Sequence, residues 1–258
     1  DGMVGLRADM DALPMEELND VPYCSKRKGA MHACGHDGHT AMLLGAAMVL
    51  QAHRAQLRKD VLLVFQPAEE GPDLGGARRI LPDLEEKGIL PKLEAMFALH
   101  LTTEYALGSA GILCGSVMAS TDELDITITG LGGHAGMPHQ CIDALSLGAR
   151  YVTEMESFMA RRIDPFEPAV FAIGTFHAGT VRNVVPERAE LTVTLRCQSE
   201  ATRAFILDGA QKVLHGLCSA AGARGEAVIR HGLPVLVTDE QQELYAEALA
   251  EELGLAPV

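Results

Sequence analysis

The chain has few basic residues. It contains 21 Lys and Arg against 35 Asp and Glu, which gives a formal net charge of −14 over 258 residues, and Lys and Arg form no run longer than three. Nucleic-acid affinity comes mainly from clustered basic side chains that neutralise phosphates. The composition therefore argues against a nucleic-acid-binding protein.

Other features are absent as well. No apolar run reaches the roughly 18 to 20 residues that a transmembrane helix needs, and the visible start has no signal peptide. Six cysteines are scattered through a chain long enough to bury a large core, so they do not indicate a disulfide framework. The glycine-rich stretch 130–136 lacks the spacing and the lysine of a phosphate-binding loop. We expect a cytoplasmic protein with no membrane partner and no nucleotide site.

Residues 31–39 concentrate side chains that bind metals. Cys34 and His36 are separated by one residue, so a turn can aim both at one point, whereas positions i and i+2 of a helix diverge. A thiolate and a neutral imidazole are good ligands for zinc-like ions. The Ala-, Leu- and Met-rich run that follows predicts a helix from His39 to about residue 53. The pair is therefore expected in the loop before this helix.

A second group of polar residues follows two predicted strands. Residues 61–65 form an apolar run typical of a buried strand, and Glu69 and Glu70 come soon after it. His100 closes another apolar run, 95–99. Open α/β sheets usually keep their sites at the carboxyl ends of strands. Neighbouring carboxylates can divide two tasks, since one can bind metal while the other accepts a proton from water.

Each of these signals has an ordinary structural explanation. A free Cys is commonly a small core residue, adjacent glutamates are usually a solvated pair, and a lone His after a strand is usually a hydrogen-bonded support. The combination at strand ends and at a strand-to-helix turn nevertheless favours a metal-dependent hydrolase.

Several ordered segments resemble the signatures of the amidohydrolase branch of the aminoacylase and carboxypeptidase metallopeptidases. This branch includes hippurate hydrolases, N-acyl-amino-acid amidohydrolases and the plant hydrolases of auxin conjugates. The segments span nearly the whole chain, at residues 7–14, 31–39, 66–71, 99–101, 118–120, 132–139 and 183–187.

The resemblance implies a site for two divalent ions, Mn or Zn first and Co or Ni as further options. Its ligands would be Cys34, His36, Glu70 and His100. The resemblance also implies that Glu69 is the general base and that Asp11 orients an imidazole beside the ions. Asp9 stands where the wider superfamily commonly has a His ligand, and we do not expect it to bind metal. The resemblance further implies that the family's chains extend beyond both ends of this one, and that their last metal ligand, a His, is expected after residue 258.

The sequence pattern changes near residue 117. Before it, apolar runs alternate with helical stretches, as in an α/β domain. After it, residues 123–130 and 188–196 alternate with period two, as half-exposed antiparallel strands do. Further helices are predicted at residues 77–88, 143–161, 200–221 and 240–253.

We therefore predict the fold class α/β. A catalytic domain with a mixed central sheet flanked by helices would carry an inserted two-layer α+β satellite domain. The predicted divisions are residues 1–116 for the first catalytic part, 117–230 for the satellite and 231–258 for an incomplete return to the catalytic domain.

The resemblance assigns two roles to the satellite domain. In many relatives this domain pairs through its sheet edge into a homodimer, which uses an edge strand that would otherwise be open to aggregation. His134 would polarise the scissile carbonyl of the substrate and Asn183 would contact the substrate. The ordinary alternatives are that His134 caps the turn after a strand and that Asn183 fills a turn beside Pro186.

The predicted reaction is hydrolysis of the amide bond of an N-acyl amino acid, hippurate-like or N-acetylated. A dipeptidase or carboxypeptidase that cleaves short peptides with the same two ions is one alternative. A non-catalytic metal-binding dimerisation module is another, although a protein that only binds metal has no need of a base such as Glu69. Residues 72–94 are a few residues longer than the matching segment of typical relatives, and substrate preference could change with them.

Overall fold

The computed structural model describes residues 2–71 and 76–258, so the first four residues of the long segment 72–94 lie outside the described residues. The chain divides into two compact units, Asp1–Leu107 and Gly108–Val258. The elements of the first unit are β1 (Met3–Asp9), α1 (His36–Ala52), β2 (Asp60–Gln66), α2 (Ala77–Glu86) and β3 (Leu93–Ala98).

The three strands of the first unit form a parallel sheet in the order β2-β1-β3. Val4 of β1 lies opposite Val61 on one side and Ala95 on the other. Parallel neighbours need crossover connections, and α1 and α2 lie in the connections between the strands. All three strands therefore end at the same edge of the sheet. Helix α1 buries His36, His39 and Leu43.

The second unit contains three α-helices and ten strands in its described residues. In chain order they are β4 (Ser109–Ala110), β5 (Gly115–Met118), β6 (Asp122–Thr129), β7 (Gly133–His134), α3 (Ala144–Arg162), β8 (Ala169–Ala178), β9 (Val184–Val185), β10 (Arg188–Cys197), α4 (Glu200–Ala221), β11 (Arg224–His231), β12 (Leu236–Thr238), α5 (Glu240–Glu252) and β13 (Ala256–Pro257).

The main sheet of the second unit is antiparallel, in the order β11-β6-β10-β8. Strands β6 and β10 bury every second residue, which matches their alternating sequence. Helices α3 and α4 cover this buried face, with Tyr151 and Leu214 fully buried against it. Helix starts are defined by Asp143 and Ser199, whose side chains accept hydrogen bonds from backbone N–H groups of the first turn.

The predicted α/β class with a two-layer α+β part is confirmed. The three described strands of the first unit are all parallel, so the antiparallel part of the predicted mixed sheet is not among them. The division at residues 116 and 230 stays a prediction.

Two expectations from the composition can be compared with the structure. All six cysteines lie in the described ranges and are free. Within residues 2–71 and 76–258, none of the helices has the length and apolar character needed to cross a membrane.

Candidate metal centre

The carboxyl edge of the parallel sheet collects the polar residues of the first unit. Strand β1 ends at Asp9, β2 ends just before the Glu69–Glu70 pair, and β3 ends just before His100. This is the edge at which open α/β sheets usually carry their sites. The topology therefore brings together side chains that lie up to about 90 residues apart in the sequence.

A left-handed glycine shapes the Cys34–Gly35–His36 turn. Gly35 has φ 83° and precedes the first residue of α1, so His36 is already in the helix while Cys34 stays outside it. The helix thus begins three residues earlier than predicted. A Cβ atom at position 35 would lie 3.3 Å from Cβ of Leu101, and the left-handed backbone is itself costly for other residues. The turn places Sγ of Cys34 3.5 Å from Nε2 of His100.

His36 lies at the centre of the cluster and is 1% exposed. Its Nε2 lies 3.9 Å from Oε2 of Glu69 and 4.0 Å from Oε1 of Glu70. Neither ring nitrogen has a hydrogen-bond partner within the described ranges. A buried polar atom without a partner is costly, so this imidazole is suited to a ligand that the protein itself does not provide.

Donor atoms are close enough to share an ion. Ligands of one zinc-like ion lie about 2.0 to 2.3 Å from it, and therefore within about 4.6 Å of one another. The groups Cys34–His36–His100 and His36–Glu69–Glu70 each offer one donor atom per residue, all within 4.8 Å. The four predicted ligands and the predicted base all belong to these two groups, which share His36. Their composition of sulfur, nitrogen and oxygen donors fits divalent transition metals.

Asp11 connects two of these residues. Its Oδ2 accepts a hydrogen bond of 2.9 Å from the backbone N–H of Glu70, and its Oδ1 lies 3.3 Å from Nδ1 of His36. Burial opposes ionisation of this carboxyl, but hydrogen bonds from the backbone N–H groups of Glu70 and Glu69 outweigh burial and lower its pKa. An ionised Asp11 therefore faces the imidazole nitrogen that does not face the glutamates, as its predicted orienting role requires.

The pKa of the Cys34 thiol shifts in the opposite direction to that of Asp11. Burial raises its pKa, and the nearby carboxylates of Glu70 and Glu69 raise it further. Without a cation the sulfur therefore keeps its proton. A bound divalent ion would supply the charge that converts it to a thiolate ligand.

Glu69 and Glu70 follow a strained backbone position. Ala68 has φ 52°, and it is the one residue other than glycine with positive φ in the described part of the chain. Both glutamate side chains are 32% exposed, so each combines contact with the cluster and access to solvent. Such strain in front of two functional candidates is typical of an active-site turn.

Sequence reasoning missed the role of His39. Its Nδ1 lies 2.6 Å from Oδ1 of Asp9, and its Nε2 accepts the backbone N–H of Leu101 at 2.8 Å. The third group of potential metal ligands, Asp9–His36–His39, includes both residues. However, Oδ2 of Asp9 is bound by Arg7 at 2.7 Å, so the atoms of Asp9 and His39 are already engaged. The available signal was the spacing of His36 and His39, which puts both on one helix face.

The two predicted substrate residues belong to the second unit. His134 of β7 lies opposite Val184 of β9, and the backbone oxygen of Asn183 accepts the N–H of Ala135. Both side chains are exposed. Nδ1 of His134 accepts the N–H of Gly136 at 3.0 Å, so the expected turn contact is present. That bond leaves the ring hydrogen on Nε2, where it can be donated to a bound molecule.

Together, the parallel sheet and the thiol–imidazole–carboxylate cluster at its carboxyl edge define the architecture of a metallohydrolase. The sequence profile described as "Peptidase family M20/M25/M40" matches residues 5–258. The chain therefore belongs to this peptidase family, in agreement with the resemblance that its motifs indicate.

Curated relatives are similar over most of this chain. It is 40% identical over 239 residues to an N-acyl-L-amino acid amidohydrolase of Geobacillus stearothermophilus, covering 92% of this chain and 63% of the relative. It is also 40% identical over 223 residues to thermostable carboxypeptidase 2 of Saccharolobus solfataricus, covering 86% of this chain and 56% of the relative. The chain thus spans less than two thirds of the length of these relatives.

A solved structure gives the same result. The YXEP protein of Bacillus subtilis, described as a dinuclear metal binding peptidase from the M20 family, is 33% identical to this chain. It superimposes with a TM-score of 0.83, covering 100% of this chain and 65% of the solved one.

Proposed function

We propose that the protein hydrolyses the amide bond of N-acyl amino acids, hippurate-like or N-acetylated. The observation that carries the proposal is the buried imidazole of His36, which has no hydrogen-bond partner in the described part of the chain and lies between a thiol and two glutamates. The family and the relative named as an N-acyl-L-amino acid amidohydrolase support the choice of substrate.

Two divalent ions would be held by Cys34, His36, Glu70 and His100. When bound, they would supply a Lewis acid for the scissile carbonyl and lower the pKa of water. The thiol favours zinc by its softness, while carboxylate and imidazole also admit manganese, cobalt and nickel. Zinc or manganese is therefore the first choice.

Glu69 is the proposed general base. Its carboxylate lies 3.9 Å from Nε2 of His36 and is 32% exposed, so it can meet both the cluster and an incoming water molecule. It accepts a proton from the attacking water and then gives that proton to the nitrogen of the leaving amino acid. One such base typically contributes about 10² to 10⁴ in rate.

The proposed role of His134 is to donate from Nε2 to the carbonyl oxygen of the substrate as negative charge develops there. Its Nδ1 already accepts the N–H of Gly136, which fixes the hydrogen on the nitrogen that must donate. Asn183, on the adjacent segment, is the proposed contact for the rest of the substrate.

The first experiment measures release of free amino acid from N-benzoyl and N-acetyl amino acids and from dipeptides, in the full protein with and without added divalent metal. Release from the acyl amino acids that depends on metal is the expected result. Preferred release from dipeptides would instead favour a dipeptidase or carboxypeptidase, an alternative supported by the relative named as a carboxypeptidase. Background turnover in metal-loaded protein would favour a non-catalytic module.

The adjacent glutamates offer a matched pair of variants. Glu69→Gln should keep metal affinity and lose about 10² to 10⁴ in turnover, because only the proton acceptor is removed. Glu70→Gln should instead weaken metal binding, because a ligand is lost. The two side chains have equal exposure. Wild-type turnover in Glu69→Gln would refute its role as base.

We also propose that the protein forms a homodimer through the edge of its four-stranded sheet. Strands β11 and β8 are the two edges of that sheet, and an unpaired edge can pair with a second copy. Sedimentation analysis of the full protein should give twice the mass of one chain. A monomer at all concentrations would refute the proposal.

A further inference from the structure

His39 lies beside the proposed ions but cannot be one of their ligands. It is 2% exposed, and both of its ring nitrogens have partners within the first unit. The N–H of Leu101 can only donate, so Nε2 of His39 must accept and the ring hydrogen must be on Nδ1. Nδ1 therefore donates to Asp9, and no lone pair of the ring remains for an ion.

Leu101 links His39 to a proposed metal ligand, His100. Its carbonyl oxygen accepts a hydrogen bond of 2.6 Å from Nδ1 of His100. This bond leaves Nε2 of His100 unprotonated, 3.5 Å from Sγ of Cys34. Both backbone polar groups of Leu101 are thus used, one by the imidazole of His39 and the other by the imidazole of His100.

Through its other ring nitrogen, His39 is linked to the parallel sheet by Asp9. Asp9, at the end of β1, is 1% exposed and is bound by Arg7, whose Nε also donates to the side chain of Gln66 at the end of β2. Asp9 is therefore an immobilised acceptor for His39.

We propose that His39 is a positioning residue for the metal centre. Held by Asp9, it fixes the N–H of Leu101 and thereby the orientation in which His100 presents Nε2. The inference rests on the proposed function, since it assigns a role to His39 only at an occupied metal site. It also explains why an acidic residue serves at position 9: each of its two oxygens accepts a hydrogen bond, one from Arg7 and the other from His39.

Two variants each remove one of the two hydrogen bonds that His39 makes with Asp9 and Leu101. His39→Asn keeps a donor near the position of Nδ1 for Asp9 but is too short to reach Leu101. His39→Gln can place an oxygen near the position of Nε2 and accept the N–H of Leu101, but it loses the donor to Asp9. Each variant removes one hydrogen bond, so the two should fold with similar stability while differing in the orientation of His100.

The readout is cobalt(II) binding to the full protein, followed by the thiolate-to-cobalt charge-transfer band and by the dissociation constant. His39→Asn should shift the band and weaken binding by about 10- to 100-fold, the usual effect of losing a group that orients a ligand. His39→Gln should recover most of the affinity and the wild-type band. Loss of folding alone would lower the signal without shifting the band.

Thr40→Val is the matched control. The hydroxyl of Thr40 donates to the backbone oxygen of Asp9 at 2.9 Å, so this variant also removes a bond between α1 and the end of β1 without touching Leu101. It should keep the wild-type band and affinity.

If His39→Asn does not fold, Asp9→Asn replaces it. Arg7 can only donate, so the amide oxygen of the new side chain faces Arg7 and the amide NH₂ faces Nδ1 of His39. The ring hydrogen of His39 must then move to Nε2, where it faces the backbone N–H of Leu101, which is also a donor. This variant should also shift the band.

Three results would overturn the inference. Wild-type spectra and affinities in His39→Asn, or in Asp9→Asn where that variant replaces it, would remove the role of His39. An equal loss of cobalt affinity and an equal band shift in His39→Gln and His39→Asn would show that the contact with Leu101 does not position His100. Absence of a thiolate band in the wild-type protein would overturn the proposed metal centre itself, and with it the role of His39.

Discussion

Replacing Asp11 by Asn should impair metal binding more than replacing it by Ala, although Asn is the closer mimic. To bind an ion through Nε2, His36 must carry its hydrogen on Nδ1, which faces Oδ1 of Asp11 at 3.3 Å. The other oxygen of Asp11 accepts the N–H of Glu70. An Asn side chain has only one oxygen for these two donors.

The backbone N–H of Glu70 cannot move away, so in Asp11→Asn the amide oxygen would face it and the NH₂ group would face Nδ1 of His36. That arrangement favours the wrong imidazole tautomer, with its hydrogen on Nε2. Losing the orienting carboxylate alone costs about 10- to 100-fold in metal affinity, which is the effect expected for Asp11→Ala. Binding to the Asn variant must also leave two donors facing each other, at about 1 to 3 kcal/mol, or a further factor of about 5 to 150.

The assay is calorimetric titration of metal-free protein with zinc or manganese, in competition with a chelator, for the wild type and both variants. Circular dichroism of the metal-free proteins controls for folding. The expected order of affinity is wild type, then Asp11→Ala, then Asp11→Asn. An Asn variant that binds as tightly as the Ala variant, or more tightly, would refute the assignment of the His36 tautomer to Asp11.

The described contacts support four further predictions. Because the pKa of Cys34 is raised, metal binding should release its proton, and this proton alone should make metal affinity rise by up to about tenfold per pH unit near neutrality. Calorimetry should show a smaller slope for Cys34→Ser, and an unchanged slope would contradict the release of this proton. Gly35→Ala should lower the free energy of unfolding of the metal-free protein by about 1 to 2 kcal/mol in urea titrations, since φ is 83°, and an unchanged value would contradict the strain. Arg203→Met should lower the free energy of unfolding by about 3 to 5 kcal/mol in the same titrations, because Arg203 binds the fully buried Asp122 through two nitrogens. Burial opposes ionisation of Asp122, but hydrogen bonds from Arg203 and His231 outweigh burial and lower its pKa. The stability that Asp122 contributes is therefore complete above the ordinary pKa of aspartate and is lost as pH falls through the lowered pKa. In acid titrations, Asp122→Asn should lose less of its free energy of unfolding than the wild type.

Strong periodic segments made most of the fold predictable. Helices α3, α4 and α5 and strands β6 and β10 begin and end within about two residues of the predicted bounds, because each has a continuous pattern and the helices start at good capping residues. Strand β8 was not predicted. Gly174 is left unpaired between Ile173 and Thr175 opposite β10, and this bulge interrupts the period of two.

Strand β11 was missed for a different reason. Its inward positions include Gly225, where a Cβ atom would lie 2.7 Å from the side chain of Leu214 and 2.8 Å from Sγ of Cys218. Close packing of α4 therefore requires a small residue where a strand pattern would ordinarily show a large apolar one. Tertiary contacts of this kind have no signature in a local sequence window.

The site was predictable in its residue types but not in its hydrogen bonds. Cys34, His36, the glutamate pair and His100 could be selected because metal-binding residue types combine at strand ends and before a helix, in segments that resemble a known family. His39 and Asp9 are also of residue types that bind metal, and both are more buried than the glutamates. What separates them is whether their polar atoms are already engaged by the protein, which the sequence does not contain.

This difference gives a physical criterion for assigning the two buried histidines of the cluster, one as a ligand and the other as a support. His36 and His39 are three residues apart on one helix and are buried almost equally, at 1% and 2%. Both nitrogens of His39 have hydrogen-bond partners of its own chain, whereas neither nitrogen of His36 has one among the described residues. A fold that leaves one buried imidazole unsatisfied while fully satisfying its neighbour must recover that cost elsewhere. At the proposed centre a bound ion would recover that cost at Nε2 of His36, while the satisfied His39 would hold the loop that presents His100.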